Sequence, residues 1–202
     1  MGGQELRICV VGDELSVGVG DPKGLGWTGR VMARTRFEGT AMSFPLAVPG
    51  ETTTGLSQRW EVECAPRFGP EAETDNRLVV ALGRHDASSV LSVARSRLNL
   101  ANILDVADSR RIPAFVVGPP PGLSEDADRL AELSSAYGDV AARRRVPYVD
   151  TFTPLASHEQ WHADLAQNGN LHPGQAGYGL MAWLVLHTGW HEWLGLPEDT
   201  PS

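Results

Sequence analysis

At 202 residues the chain is long enough for one compact domain with a sizeable core, and 42% hydrophobic against 21% charged residues exclude a disordered, fibrous or coiled-coil protein. Seventeen basic against 25 acidic side chains leave a net charge of -8, which argues against a nucleic-acid backbone or an anionic membrane as partner. No apolar run approaches the roughly 18 residues of a membrane span, and residues 1–4 lack the basic and apolar regions of a secretory signal, so a cytoplasmic location without membrane insertion is expected.

In chain order, apolar and β-branched runs at 7–11, 41–48, 78–82, 114–117 and 147–149 predict five strands. Stretches at 26–35, 52–64, 88–110, 124–145 and 175–190 carry helical spacing, with Leu91, Leu98, Ile103 and Leu104 on related turns of the third. Strands that alternate with helical crossovers predict a parallel sheet covered on both faces, which explains why the strand runs are nearly all apolar. The fold class expected is α/β, a three-layer α/β/α sandwich on a five-stranded parallel sheet. One domain should span 1–195, with 196–202 as a flexible tail. Cys9, inside an apolar run, and Cys64 offer no spaced framework for disulfides or metal and are expected to be reduced and structural.

In such sheets ligands sit outside the carboxyl ends of the strands. The turns that follow the strands are Gly12-Asp13-Glu14-Leu15, Pro49-Gly50-Glu51-Thr52 and Gly83-Arg84-His85-Asp86, and Asn168-Gly169-Asn170-Leu171-His172-Pro173 precedes the last helix. Gathered at one sheet edge, they offer a carboxylate, two imidazoles and a glycine N–H, enough for a reaction centre.

The order of these blocks resembles the SGNH, or GDSL-type, hydrolases, which carry Gly-Asp-Ser-Leu, then Gly, then Gly-x-Asn-Asp, then Asp-x-x-His-Pro. Gly12, Asp13 and Leu15 fit the first block, Gly50 the second, Gly83 and Asp86 the third, and His172-Pro173 with Gly177-Tyr178 the last; Gly118-Pro119-Pro120 is similar to the family's fourth-strand turn. The resemblance implies the flavodoxin-like SGNH hydrolase fold and an esterase, lipase or other acylhydrolase activity on a small acyl-type substrate, with no cofactor. It also implies roles: serine as nucleophile, histidine as base, aspartate to orient it, and an oxyanion hole from the serine N–H, the glycine N–H and the asparagine side chain. This chain departs at three of those positions, with Glu14 for the serine, His85 for the asparagine and Gly169 for the aspartate.

The catalytic set expected is therefore Glu14, His172, His85 and Gly50, with Glu14 and His172 acting together and the carboxylate serving as nucleophile or as the base that activates water. Asp13, Asp86, Asn168, Asn170 and Arg84 are expected to support it: Asp13 bracing the turn, Asp86 holding His85, an asparagine accepting from His172, and Arg84 pointing into the cleft toward an anionic substrate. Two alternatives stay open. One is an inactive relative that binds a small ligand in the cleft, and the other is a metal site made of Glu14, His85 and His172. Ser16 is a remote substitute nucleophile, and Trp27 and Arg30 are candidates for pocket lining. His158, His162, His187 and His191, among Trp161, Trp183, Trp190 and Trp193, read as surface or packing residues.

Overall fold

The structure, a computed structural model, describes residues 5–122 and 127–197. Its strands are β1 (Glu5–Gly12), β2 (Ala41–Ala47), β3 (Thr74–Ala81), β4 (Ala114–Val117) and β5 (Tyr148–Val149), all parallel, in the order β2-β1-β3-β4-β5. Alternation along each strand divides the core in two. Ile8, Val10, Val79, Phe115, Val117 and Val149 face one side; Cys9, Val11, Leu78, Val80 and Val116 face the other. The first face is covered by α1 (Gly26–Arg34) and α8 (Gln175–Val185), through Trp27, Val31, Tyr178 and Met181. The second is covered by α2 (Thr53–Cys64), α4 (Val93–Ser109) and α5 (Ala127–Arg143), through Leu56, Trp60, Ile103 and Tyr137. The three-layer sandwich expected from the sequence is thus the observed fold. β2 is an edge strand, which is why it tolerates Pro45 and buries its residues only in part.

The elements differ from expectation where local chemistry cuts a pattern short. The helix predicted over 88–110 is two pieces, a turn α3 (His85–Ser88) and then α4, whose start is fixed by Ser92 Oγ accepting from Arg95 N–H at 3.2 Å. The start of the helix predicted from Ser124 lies outside the described residues, as do residues 198–202 of the predicted tail. The last predicted helix ends at Val185. Thr188 and Gly189 (φ 76°) leave helical geometry, and the kinked segment Leu186–Trp190 leads into α9 (His191–Leu194). The helices α6 (Phe152–Leu155) and α7 (Glu159–Gln167) were not predicted; the second buries Trp161 and Leu165.

Trp190 and Trp193 pack on Phe115 with ring centroids 5.5 and 5.1 Å away, and Trp161 is buried with its indole N–H on the Pro121 carbonyl. Trp183 is instead half exposed, stacked on His187. Cys9 and Cys64 are free thiols buried in one cluster, where the neighbouring Cys9 thiol and then burial push the Cys64 thiol well up. Among the described residues, no helix is long and apolar enough to cross a membrane.

Two polar side chains, one partly and one fully buried, lock the carboxyl edge of the sheet. Arg59 on α2 donates to the Gly12 and Leu46 carbonyls, at 3.2 and 2.9 Å, and is itself held by Glu51 and Glu63. Asp86 accepts from Thr53 N–H (2.8 Å), Thr53 Oγ1 (2.6 Å) and Tyr137 Oη (2.8 Å), joining the third-strand turn to α2 and α5. Removing that carboxylate strands three buried donors, each costing about 1–3 kcal/mol. Asp86→Ala is expected to destabilise the protein by at least about 3 kcal/mol, seen as a melting temperature lowered by roughly 6–12 °C.

Candidate active site

The first-strand turn is built by Asp13. Its Oδ1 accepts from Leu15 N–H at 3.0 Å, capping the 3-10 turn Glu14–Val17, which Gly18 ends in the left-handed region at φ 75°. Gly83 makes room for Asp13: a Cβ there would lie 1.6 Å from Asp13 Oδ2, so no side chain fits. Asp13 thus braces the turn, as expected, but it also belongs to the site, since Oδ2 is buried without a hydrogen-bond partner 3.5 Å from His85 Nε2. Ser16 is buried, with Oγ donating to the Asp13 carbonyl at 2.7 Å, so it is part of the turn and not an available nucleophile.

This turn presents the Glu14 carboxylate to a ring of donors. Gly50 N–H donates to Oε2 at 2.8 Å, and His85 Nε2 lies 2.9 Å from Oε1. Burial raises the Glu14 pKa, but the hydrogen bonds from His85, from Gly50 and from its own backbone N–H outweigh it and leave the carboxyl at about 2. The same contact with Glu14 raises the His85 pKa above the ordinary 6.5 against the opposing effect of burial. Asp13 goes the other way: burial first, and then the Glu14 charge, push it up to about 7. The site holds an ionised Glu14 against the His85 ring, whose cationic form that contact favours, beside a carboxyl that titrates near neutrality.

His172 lies in the turn before α8. Its pKa is lowered, mainly by burial, with Glu14 opposing and Arg84 and His85 adding to the shift, so it stands within the field of the other site charges. The turn is tied to the rest of the edge: Arg84 donates to the Leu171 carbonyl, Tyr178 Oη to the Val19 carbonyl at 2.7 Å, and Gly20 is packed so closely that a Cβ there would lie 3.0 Å from His172 Cβ. His172 Nδ1 is buried without a hydrogen-bond partner.

Several expected roles are corrected by this geometry. Asp86 does not hold His85; it braces Thr53 and Tyr137, while His85 pairs with Glu14. Asn168 donates to the Asp164 carbonyl at 2.9 Å and does not accept from His172, and Asn170 bends the turn at φ 61°. Arg84 is engaged with the His172 turn through Leu171. The predicted metal set Glu14, His85 and His172 is not assembled: among the described residues, the ligand atoms within 4.8 Å of one another are those of Asp13, Glu14 and His85. Trp27 is core, and Arg30 pairs with Asp21 at 2.5 Å.

Two positioning residues were missed. Asp21 accepts from the N–H groups of Lys23, Leu25 and Gly26, and the string Asp-Pro-Lys-Gly is a turn signal that could have revealed it. Asp164 accepts from Gly174 and Gly177 N–H at the start of α8, fixing the segment after His172, and no local pattern in the sequence marks it.

The fold is shared with the lipase/acylhydrolase from Enterococcus faecalis (20% identity, TM-score 0.71, covering 96% of this chain and 99% of that one). It is also shared with Axe2, an acetylxylan esterase from Geobacillus stearothermophilus (15% identity, TM-score 0.73, covering 100% and 98%). AlinE4, an SGNH-hydrolase family esterase, is 27% identical with a TM-score of 0.65, over 98% of this chain and 99% of that one. No curated protein sequence matches the chain. The sequence itself matches the GDSL-like Lipase/Acylhydrolase family over residues 10–180, most of its length, and the chain belongs to that family.

Proposed function

We propose that the chain is a hydrolase in which Glu14 takes the part of the family's serine: its carboxylate captures the substrate covalently, and water activated by His172 releases it. The observation that carries this reading is the seat of the carboxylate. Gly50 N–H and His85 donate to its two oxygens, and the family resemblance assigns oxyanion-stabilising donors to these same positions. Donors that hold the resting anion are placed to hold the oxyanion formed when water adds to the Glu14 carboxyl carbon. The contact with Glu14 raises the His85 pKa, and the cationic form it favours is a stronger donor there than the amide it replaces.

The same donors argue against Glu14 as the direct base. A carboxylate with a pKa of about 2 is a weak proton acceptor at neutral pH. His172, kept neutral by burial, suits that step. Val17, Val19, Val48 and Leu171 are exposed apolar neighbours in the chain of Glu14, Gly50 and His172, which supports a small substrate with an apolar part.

Three outcomes are expected. In a screen of small activated esters and related electrophiles, Glu14→Gln should lower turnover by about 10³-fold or more, and His172→Ala by about 10²- to 10⁴-fold, with melting temperatures measured alongside. Wild type and both variants equally inert, with ligand binding retained, would establish the inactive binding relative instead.

The rate should rise with pH through the lowered His172 pKa, below 6.5, because the base must be neutral, and fall through the raised His85 pKa, above 6.5, as the cationic donor is lost. Glu14, ionised above about 2, adds no limb between them. A kcat/KM profile from pH 4 to about 10 checks this.

Finally, Gly169→Asp restores a carboxylate three residues before His172. A Cβ there meets no atom within 4 Å, and its φ of 66° lies in the left-handed region that aspartate enters more readily than most residues. The change should raise the His172 pKa and speed turnover about tenfold, read from the acid limb of the same profile.

A further inference from the structure

If Glu14 captures the substrate, the structure also constrains which bond is broken. Both carboxylate oxygens are engaged, Oε2 by the Gly50 N–H and Oε1 by His85, and the Glu14 N–H stabilises the same anion. Attack of a carboxylate on an acyl carbon creates a new oxyanion on the substrate, which needs its own donors. The donors that the family resemblance assigns to that oxyanion, Gly50 N–H and the residue at position 85, are already engaged by Glu14. Attack on a saturated carbon creates no such oxyanion, since the negative charge passes from the carboxylate oxygen to the leaving group. The tetrahedral anion arises only afterwards, on the Glu14 carboxyl carbon, whose oxygens already lie against Gly50 and His85.

We propose that this site hydrolyses apolar molecules with an electrophilic saturated carbon that carries a leaving group stable as an anion, such as a halide or a sulfonate. This rests on covalent capture by Glu14 and narrows it. In the first step one Glu14 oxygen forms a bond to the substrate carbon as the carbon–leaving group bond breaks, and the leaving group departs with the electron pair as an anion. Glu14 is then an alkyl ester. In the second step water adds to the Glu14 carboxyl carbon while His172 takes its proton. The tetrahedral anion collapses, the bond to the alkyl oxygen breaks, and the departing alkoxide takes the proton from His172 to leave as an alcohol. The regenerated carboxyl group releases its proton to solvent, so one water and one alkyl substrate give one alcohol, one anion and one proton.

Two further features of the site suit this chemistry. The guanidinium of Arg84 sits on the His172 turn, and its charge reaches Asp13, His85 and His172, so a departing anion meets positive potential. Val17, Val19, Val48 and Leu171, close in the chain to Glu14, Gly50 and His172, add exposed apolar surface and no oxyanion-donating side chain.

The test uses two probes of matched chain length, 1-bromohexane and p-nitrophenyl hexanoate, with the full chain carrying His172→Gln so that the second step is slowed. Intact-mass and peptide mapping should find a hexyl group on the Glu14 peptide after bromohexane, with bromide released in equal amount, at least about tenfold above a Glu14→Gln control. Wild type run for a single turnover in ¹⁸O-water should carry the label in the Glu14 carboxylate and not in the hexanol, a readout that does not depend on the folding of either variant. A hexanoyl group on Glu14 from the ester, with no hexyl adduct from the bromide, would overturn the saturated-carbon inference and leave covalent capture standing. No adduct and no ¹⁸O in Glu14 with either probe would overturn both.

Discussion

Everything at this site depends on where one carboxylate is held. Glu14 sits at the carboxyl end of β1 on a turn that Asp13 caps and Gly83 accommodates, and from there its oxygens meet Gly50 on the loop after β2 and His85 after β3. Three consecutive strand ends are thereby joined through one side chain. A serine hydroxyl, shorter and neutral, could not bridge two such donors at once. The carboxylate therefore alters the electrostatics of the whole edge: it raises the His85 pKa and, together with burial, that of Asp13, and it engages the Gly50 N–H and the His85 ring.

The scaffold that delivers this arrangement is ordinary, and its parts are separable from the chemistry. Arg59 fixes the ends of β1 and β2 from outside, and Asp86 ties the third turn to two helices from beneath. Their hydrogen bonds go to groups other than the Glu14 carboxylate. Stability is concentrated in buried apolar layers and these two braces, so the residues between them are free to carry two adjacent carboxyl groups and an imidazole at energetic cost.

Much of this was legible in the sequence for a physical reason. A buried parallel strand needs a continuous apolar run, and a strand-to-loop turn at a sheet edge needs glycine and short polar residues, so 7–11, 78–82 and 114–117 and the turns behind them announce themselves. Glu14, Gly50 and His85 come together because each follows such a run. What was not legible depends on partners far apart in the chain. Nothing near Asp86 says that its acceptors serve Thr53 and Tyr137 and not its neighbour His85, and nothing near Asn168 says that its amide turns back to Asp164 and leaves His172 alone. The short helices between 152 and 167 were hidden because their burial rests on a few residues, Leu155, Trp161 and Leu165, too sparse for a period to show.

The unpartnered Asp13 oxygen has one more consequence. The carboxyl titrates near 7 partly because Glu14 beside it is charged. Any event that neutralises Glu14, esterification or protonation alike, lifts that repulsion and lowers the Asp13 pKa against the effect of burial, favouring an ionised carboxyl 3.5 Å from His85 Nε2. In the proposed covalent route, Asp13 would supply the counter-charge to His85 while Glu14 is esterified.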